Sequence, residues 1–349
     1  MGTLLLQHGV PVGTCLEQLN ITQPQVIVNI HDAYVRAGAR IVETNTFGAH
    51  RDKLARYGLA NEAATINREA VGLARAAAGE DVYVVGTVGS IAGNQHLTSV
   101  ATGIEEQYAE QMAALLEGTA DALLLETFLQ LEDLLIALKI AKQLTSLPVI
   151  CQLAIEGPTT TLDGVFLHEA MSRLLDAGAD VVGFNCRVGP SGTQSAIESA
   201  GVPSGTLLSA YPNAGLPEYV DGAYVYRSTP EYFAQSALRL RELGVRLFGG
   251  CCGTTPAHIA AITKALRGLS PVNRREQGAT ESATEQLKPA ASKVTVTDIK
   301  PSKKPPSIPE LARVRHTIVV ELDPPRDLNY KKYLRGAMAL KEAGADAIT

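Results

Sequence analysis

What constrains this chain most is a hydrophobic period that switches back and forth about every thirty residues. Short runs rich in β-branched residues lie at 39–47, 81–90, 120–128, 147–155, 179–188, 207–215 and 245–252. They lack clean polar alternation and often end in Gly, Asn or Thr, the pattern of parallel strands covered on both faces. Between them the period becomes 3.6. Val26, Ile30, Ala33, Tyr34 and Ala37 share one helix face, Ile104, Tyr108, Met112, Leu115 and Leu116 a second, and Leu131, Leu134, Leu135 and Leu138 a third. Thr22 stands where it can cap the first of these helices, and Pro24 where it opens the first turn. In Ala37-Gly38-Ala39-Arg40 and Ala177-Gly178-Ala179-Asp180 a glycine ends a helix and a strand begins at once.

Repeated βα units imply a parallel sheet. Seven full strands can be counted, and Met1 to Gln7 is readable as the tail of another. Eight units make an α/β (β/α)8 TIM barrel; an open doubly wound sheet is the alternative. In a barrel the chemistry sits where the C-terminal ends of the strands converge. A barrel takes about 250 residues, so a chain of 349 has room for more. The barrel pattern spans 1–268. Residues 269–315 are rich in Pro, Lys and Ser, with Lys300-Pro301-Ser302-Lys303-Lys304-Pro305-Pro306 the most extended part, and read as a solvated linker. A new strand and helix follow in 316–349, the expected start of a second domain whose remainder lies beyond the chain.

Composition removes several classes of function. A chain that is 46% hydrophobic can bury a core, so wholesale disorder is excluded. A net charge of −5 offers no basic surplus for a nucleic-acid partner. No apolar run reaches the roughly 18 residues of a membrane span. Five cysteines, an odd number with no secretory leader before them, argue against a disulfide framework and for a reducing, cytoplasmic setting.

Three of those cysteines stand at strand ends. Gly249-Gly250-Cys251-Cys252-Gly253-Thr254-Thr255-Pro256 follows the last strand, and Asn185-Cys186 ends the strand two units earlier. Adjacent residues of a regular strand point to opposite faces, so Cys251 and Cys252 can share a ligand only on irregular backbone, which the flanking glycines permit. Three thiolates with one open position suit a catalytic zinc. The competing reading makes them structural, as Cys15 and Cys151 are expected to be, in a barrel enzyme of other chemistry. That reading requires a closed four-ligand metal site or none, and His258 is the nearest further donor.

These residues, together with Glu43-Thr44-Asn45-Thr46-Phe47 and Leu125-Glu126-Thr127, resemble the homocysteine S-methyltransferases, a zinc-dependent TIM-barrel family. The resemblance covers 1 to about 268. It implies that Cys186, Cys251 and Cys252 bind Zn2+ and that Glu126 holds the substrate ammonium. It places Asn45 and Thr46 in a substrate-binding motif at the mouth, and Gly86-Thr87-Val88-Gly89-Ser90 along the pocket through its backbone groups. Gly2 and Thr3, which the resemblance also places among the substrate-binding residues, match part of the family's first-strand motif, whose Asp and most of whose strand are absent here. The implied reaction transfers a methyl group from a donor to the thiolate of homocysteine, giving methionine. A non-catalytic fragment is the alternative reading.

His316-Thr317-Ile318-Val319-Val320-Glu321-Leu322-Asp323-Pro324-Pro325-Arg326 resembles the opening of a methylenetetrahydrofolate reductase, with Glu321 matching its catalytic acid. The order of the two parts resembles a bifunctional fusion. FAD and NAD(P)H would belong only to the complete reductase.

Overall fold

In the computed structural model, the residues described are 1–93, 103–157, 159–220, 223–272, 319–320, 331–342 and 347–348. The chain divides into two units, Met1–Ala279 and Thr280–Thr349. The second shows two short parallel strands, Val319–Val320 and Ala347–Ile348, and a helix, Lys331–Glu342. Glu321 and the linker from 273 onward lie outside the described residues.

The first unit opens with helices α1 (Gly2–Gln7), α2 (Leu19–Thr22) and α3 (Pro24–Arg36). Strand β1 (Ile41–Glu43) is followed by α4 (Arg51–Ala55) and α5 (Ala63–Ala78). Then strands and helices alternate: β2 (Tyr83–Gly89), α6 (Ile104–Glu117), β3 (Ala122–Phe128), α7 (Leu131–Leu144), β4 (Val149–Leu153) and α8 (Leu167–Asp176). After β5 (Val181–Asn185), α9 (Pro190–Ala200) and β6 (Leu208–Tyr211) comes a hairpin, β7 (Glu218–Val220) with β8 (Ala223–Val225). Helix α10 (Pro230–Glu242), β9 (Val245–Phe248) and α11 (Pro256–Leu266) complete the unit.

The seven main strands form one parallel sheet in the order β1-β2-β3-β4-β5-β6-β9. It curls into part of a TIM barrel, with β1 and β9 as its two edges among the described residues. Helical crossovers force the parallel order, because each carries the chain back to the start of the next strand. Gly38 and Gly178, at φ +97° and +94°, turn the chain out of α3 and α8 in the left-handed region. The polar residue of the second junction has a task in the sheet. Asp180 accepts the Val149 N–H at 2.8 Å and pairs with Lys142. Asp121 does the same for Val84 N–H at 2.7 Å, paired with Arg75.

The two faces of the sheet are chemically distinct. Outward residues such as Val84, Leu123, Leu125, Val149, Val182 and Leu208 pack on the helices. Inward residues, among them Ile41, Val85, Leu124, Ile150 and Val181, form a smaller cluster inside the curl.

Three local expectations are corrected. Residues 2–7 are helical rather than the tail of a strand: three successive leucines favour a helix, and Leu5 packs against Leu19, Ile27 and Ile30. Thr22 does not cap α3; it ends α2, its hydroxyl bonded back to the Gln18 carbonyl, and Gln23 holds the cap position ahead of Pro24. The β7–β8 hairpin interrupts the unit between β6 and α10 where no strands were expected. Among the described residues no helix is long and apolar enough to cross a membrane.

Close approach inside the curl sets one test. A Cβ on Gly183 would lie 2.0 Å from the Ser209 carbonyl oxygen, whereas Gly157 has open space. Gly183→Ala is expected to cost at least about 1–3 kcal/mol and Gly157→Ala close to nothing, read as urea midpoints at constant m-value.

Candidate metal centre

The strands all end on one rim, and that rim gathers residues far apart in sequence. The sulfurs of Cys186, Cys251 and Cys252 lie within 4.8 Å of one another, and Cys186 Sγ is 3.8 Å from Cys252 Sγ. Zinc–sulfur bonds of about 2.3 Å in a tetrahedral site place sulfurs about 3.8 Å apart, so the donors fit such an ion. Among the described residues no fourth His, Cys, Asp or Glu joins the group. His258 is committed elsewhere: Nδ1 meets the Thr255 hydroxyl at 2.9 Å in a capping box, and Nε2 lies 2.9 Å from the Ser228 carbonyl. Cys15 and Cys151 are buried away from this cluster.

Irregular backbone delivers the three thiols. Cys186 and Arg187 follow β5 with φ of +57° and +60°, a region side chains seldom occupy. The turn is pinned by Cys186 N–H to the Tyr211 carbonyl at 3.1 Å. Cys251 N–H bonds the Pro212 carbonyl at 2.9 Å, and Cys252 N–H the Asn213 side-chain oxygen at 3.0 Å. The loop after β6 therefore holds both cysteine segments. Gly253 N–H donates to Thr3 Oγ1 at 3.2 Å, which ties the first helix to the same loop.

The Cys186 and Cys252 thiols lie within hydrogen-bonding distance. Cys252 is held far below the usual thiol range by hydrogen bonds from Cys186 and Cys251, with another from Tyr226, against the cost of burial. Cys251 is pushed well above it by the reciprocal bonds with Cys186 and Cys252 and by burial.

Asn185 joins this cluster to the acid predicted to meet the substrate. Its Nδ2 donates to Glu126 Oε2 at 2.8 Å and Thr127 Oγ1 at 2.7 Å, and lies 4.0 Å from Cys251 Sγ. Its Oδ1 accepts Thr127 N–H at 2.8 Å. Thr127 has φ +61°, and the β3–β4 register slips beside it. Glu126 is buried and pushed well above the usual carboxylate range, first by burial and then by the neighbouring Glu43 carboxylate. Burial likewise pushes Glu43 up to about 7, opposed by the Met1 α-ammonium.

The other expected site residues are engaged within the protein. Asn45 Nδ2 donates to the Leu16 carbonyl at 2.8 Å and to Asn20 Oδ1 at 3.0 Å. Thr46 is fully buried, its hydroxyl bonded to the Thr87 carbonyl at 2.7 Å. They hold the loop after β1 against α2 and β2. Gly2 starts α1, and a Cβ there would press on Leu16 at 3.1 Å. In the stretch 86–90 the Thr87 and Gly89 N–H groups are taken by Thr44 Oγ1 and the Phe47 carbonyl. Sequence reasoning named Glu43 and Asn185 only as parts of motifs and missed Asn213 and Tyr226. Strand alternation relative to Ile41 was the signal available for Glu43; nothing local marks the other two.

Comparison with known proteins then adds the following. The family model described as homocysteine S-methyltransferase matches residues 1–266. Methionine synthase of Mycobacterium tuberculosis (strain ATCC 25618 / H37Rv) is 33% identical over 276 residues, covering 75% of this chain and 23% of that protein. That of Mycobacterium leprae (strain TN) is 33% identical over 280, with the same coverages. The chain thus matches less than a quarter of the length of these relatives. Among solved structures, the homocysteine methyltransferase MmuM from Escherichia coli in its metallated form aligns with a TM-score of 0.65 at 24% identity, over 76% of this chain and 93% of that one. Its oxidized form gives 0.61 at 23%, with the same coverages. These two likenesses speak to the fold.

The Asn185 bridge generates a prediction. Asn185→Ala leaves Thr127 N–H and a buried Glu126 oxygen without their partner. The expected cost is about 1–3 kcal/mol in denaturant unfolding. Loss of only a few tenths would show that the bridge contributes little.

Proposed function

The chain belongs to the homocysteine S-methyltransferase family, and on that premise we propose that its barrel part, 1–268, transfers a methyl group to the sulfur of homocysteine. The observation that carries this reading is the three-thiol cluster at the strand ends, linked through Asn185 to a buried carboxylate. Zinc, when bound, supplies Lewis acidity that lowers the pKa of a substrate thiol and so keeps its sulfur nucleophilic at neutral pH. Cys186, Cys251 and Cys252 would hold it, and three sulfur donors leave one position for the substrate.

The chain's own residues then bind and orient. Glu126 takes the substrate ammonium through a charge-assisted hydrogen bond. Asn185 keeps that carboxylate in place and fixes its distance from Cys251. Thr3, bonded to Gly253 N–H, steadies the Cys251–Cys252 loop. Asn45 and Thr46 support the wall of the mouth rather than reaching into it. With both ends of homocysteine anchored, displacement at the donor methyl is mainly a matter of alignment.

The donor we favour is folate-linked. The support is the methionine synthase relatives and the reductase-like string around Glu321. In this reading 269–315 is a linker and 316–349 belongs to a reductase domain that needs FAD and NAD(P)H when complete.

Metal analysis of the purified chain is expected to find about one zinc per chain. Cys186→Ala, Cys251→Ala and Cys252→Ala should each fall well below that, while Cys15→Ala and Cys151→Ala retain it. Methionine formation from homocysteine should follow the same division when methyltetrahydrofolate, betaine, S-methylmethionine and S-adenosylmethionine are tried in turn. Full zinc and full turnover in Cys251→Ala would overturn the proposal.

A further inference from the structure

The inside of the curled sheet changes chemistry along its height. Ile41, Val85, Leu124 and Ile150 belong to the apolar cluster of the inner face. Side chains two residues apart on a strand share a face. The next inward positions on the same four strands are therefore Glu43 on β1, Thr87 on β2, Glu126 on β3 and Gln152 on β4. The strands are neighbours in the sheet, and in their register Glu43 is level with Val85 and Thr87 with Leu124, so these four residues form a patch that climbs diagonally from the apolar floor toward the rim, its two carboxylates close enough to act on each other. Tyr211, also inward on β6, lies within electrostatic reach of both carboxylates.

Hydrogen bonding in this patch is unbalanced. The Gln152 amide nitrogen is used on Ser209 Oγ at 2.9 Å, and its buried oxygen has no partner. Gln152 is fully buried, and Thr87 is 1% exposed with a hydroxyl that is also unpartnered. Glu126 accepts a bond from Asn185 Nδ2. Glu43, deeply surrounded by protein but still partly open, has no hydrogen-bond partner among the described residues. Carboxylates and amide oxygens mainly accept, so the patch is rich in acceptors, and the positive charge that reaches its two carboxylates is that of the Met1 α-ammonium. A substrate's primary ammonium brings three N–H donors on one cationic atom.

We propose that Glu43 is a second acidic contact for the substrate's ammonium group: with Glu126 it forms a two-carboxylate cradle, completed by Gln152 and Thr87, that selects an amino-thiol over a thiol lacking the amine. The proposal rests on the reading of this barrel as a homocysteine methyltransferase. It adds a residue and a rule of specificity to that reading. One ammonium between the two carboxylates offsets their mutual repulsion, and it offers three N–H groups to the acceptors of the patch. A ligand without the amine would leave all of these acceptors unpaired in a buried site, the situation that gives the largest discrimination.

The test is calorimetric titration of the zinc-loaded full chain with L-homocysteine and, separately, with γ-mercaptobutyrate, which has the same thiol and carboxylate but no amine. The wild type should prefer homocysteine strongly. Glu43→Gln should weaken homocysteine binding by at least roughly thirtyfold, the usual loss on removing one partner of a buried charge pair. Binding of γ-mercaptobutyrate should stay within about threefold. Glu43→Asp, which keeps the charge but shortens the reach, should recover part of the preference. In turnover Glu43→Gln should raise KM for homocysteine far more than it lowers kcat. Unchanged homocysteine affinity in Glu43→Gln would overturn the proposal, as would equal loss of both ligands. A wild type that binds zinc but neither thiol would overturn the methyltransferase reading itself, and this inference with it.

Discussion

A curled parallel sheet delivers every strand's C-terminal end to a single rim, and the chemistry of this molecule depends on that constraint. Residues 43, 126, 186 and 252 are separated by much of the chain, yet β1, β3, β5 and β9 bring them to one place. Helical crossovers enforce the parallel order, and the helices need an apolar outer face to pack against. That need fixes which side of each strand faces out. The inner face is left to the alternate residues, apolar low in the curl and polar near the rim.

At the rim, regular strand geometry has to end. Two successive left-handed residues at Cys186 and Arg187 turn the first thiol toward the other two. Such a turn is unfavourable on its own, and it is held by backbone bonds to the loop after β6. The same loop receives Cys251 N–H and Cys252 N–H. Three thiols packed this closely cannot ionise independently, and their hydrogen bonds push Cys252 below and Cys251 above the usual thiol range. Asn185 extends the network from sulfur to carboxylate, so the two ends of the site are fixed by one side chain.

Much of this was legible in the residues. The seven β-branched runs appear as seven strands in their order, because burial on both faces leaves a contiguous apolar signature. The helix-ending glycines and the cysteine string also appear where the pattern put them. The N-terminal stretch was misread because a short apolar run carries no period of its own, and packing of Leu5 on α2 and α3 decided for helix. The β7–β8 hairpin was invisible: its inserted strands have three residues each, too few to show alternation. Asn45 and Thr46 looked like site residues from their motif, but their side chains are bonded inside the protein. Glu43 lay in the same motif and went unremarked. Its inward direction becomes clear only when Ile41 is known to line the inside of the sheet.

The central claim is that three cysteine sulfurs form an open donor set that the substrate's own sulfur completes. X-ray absorption at the zinc edge tests it most directly. The account predicts three sulfur donors at about 2.3 Å with one lighter atom in the free protein, becoming four sulfurs when homocysteine is added. A closed shell of four protein donors that homocysteine leaves unchanged would contradict it.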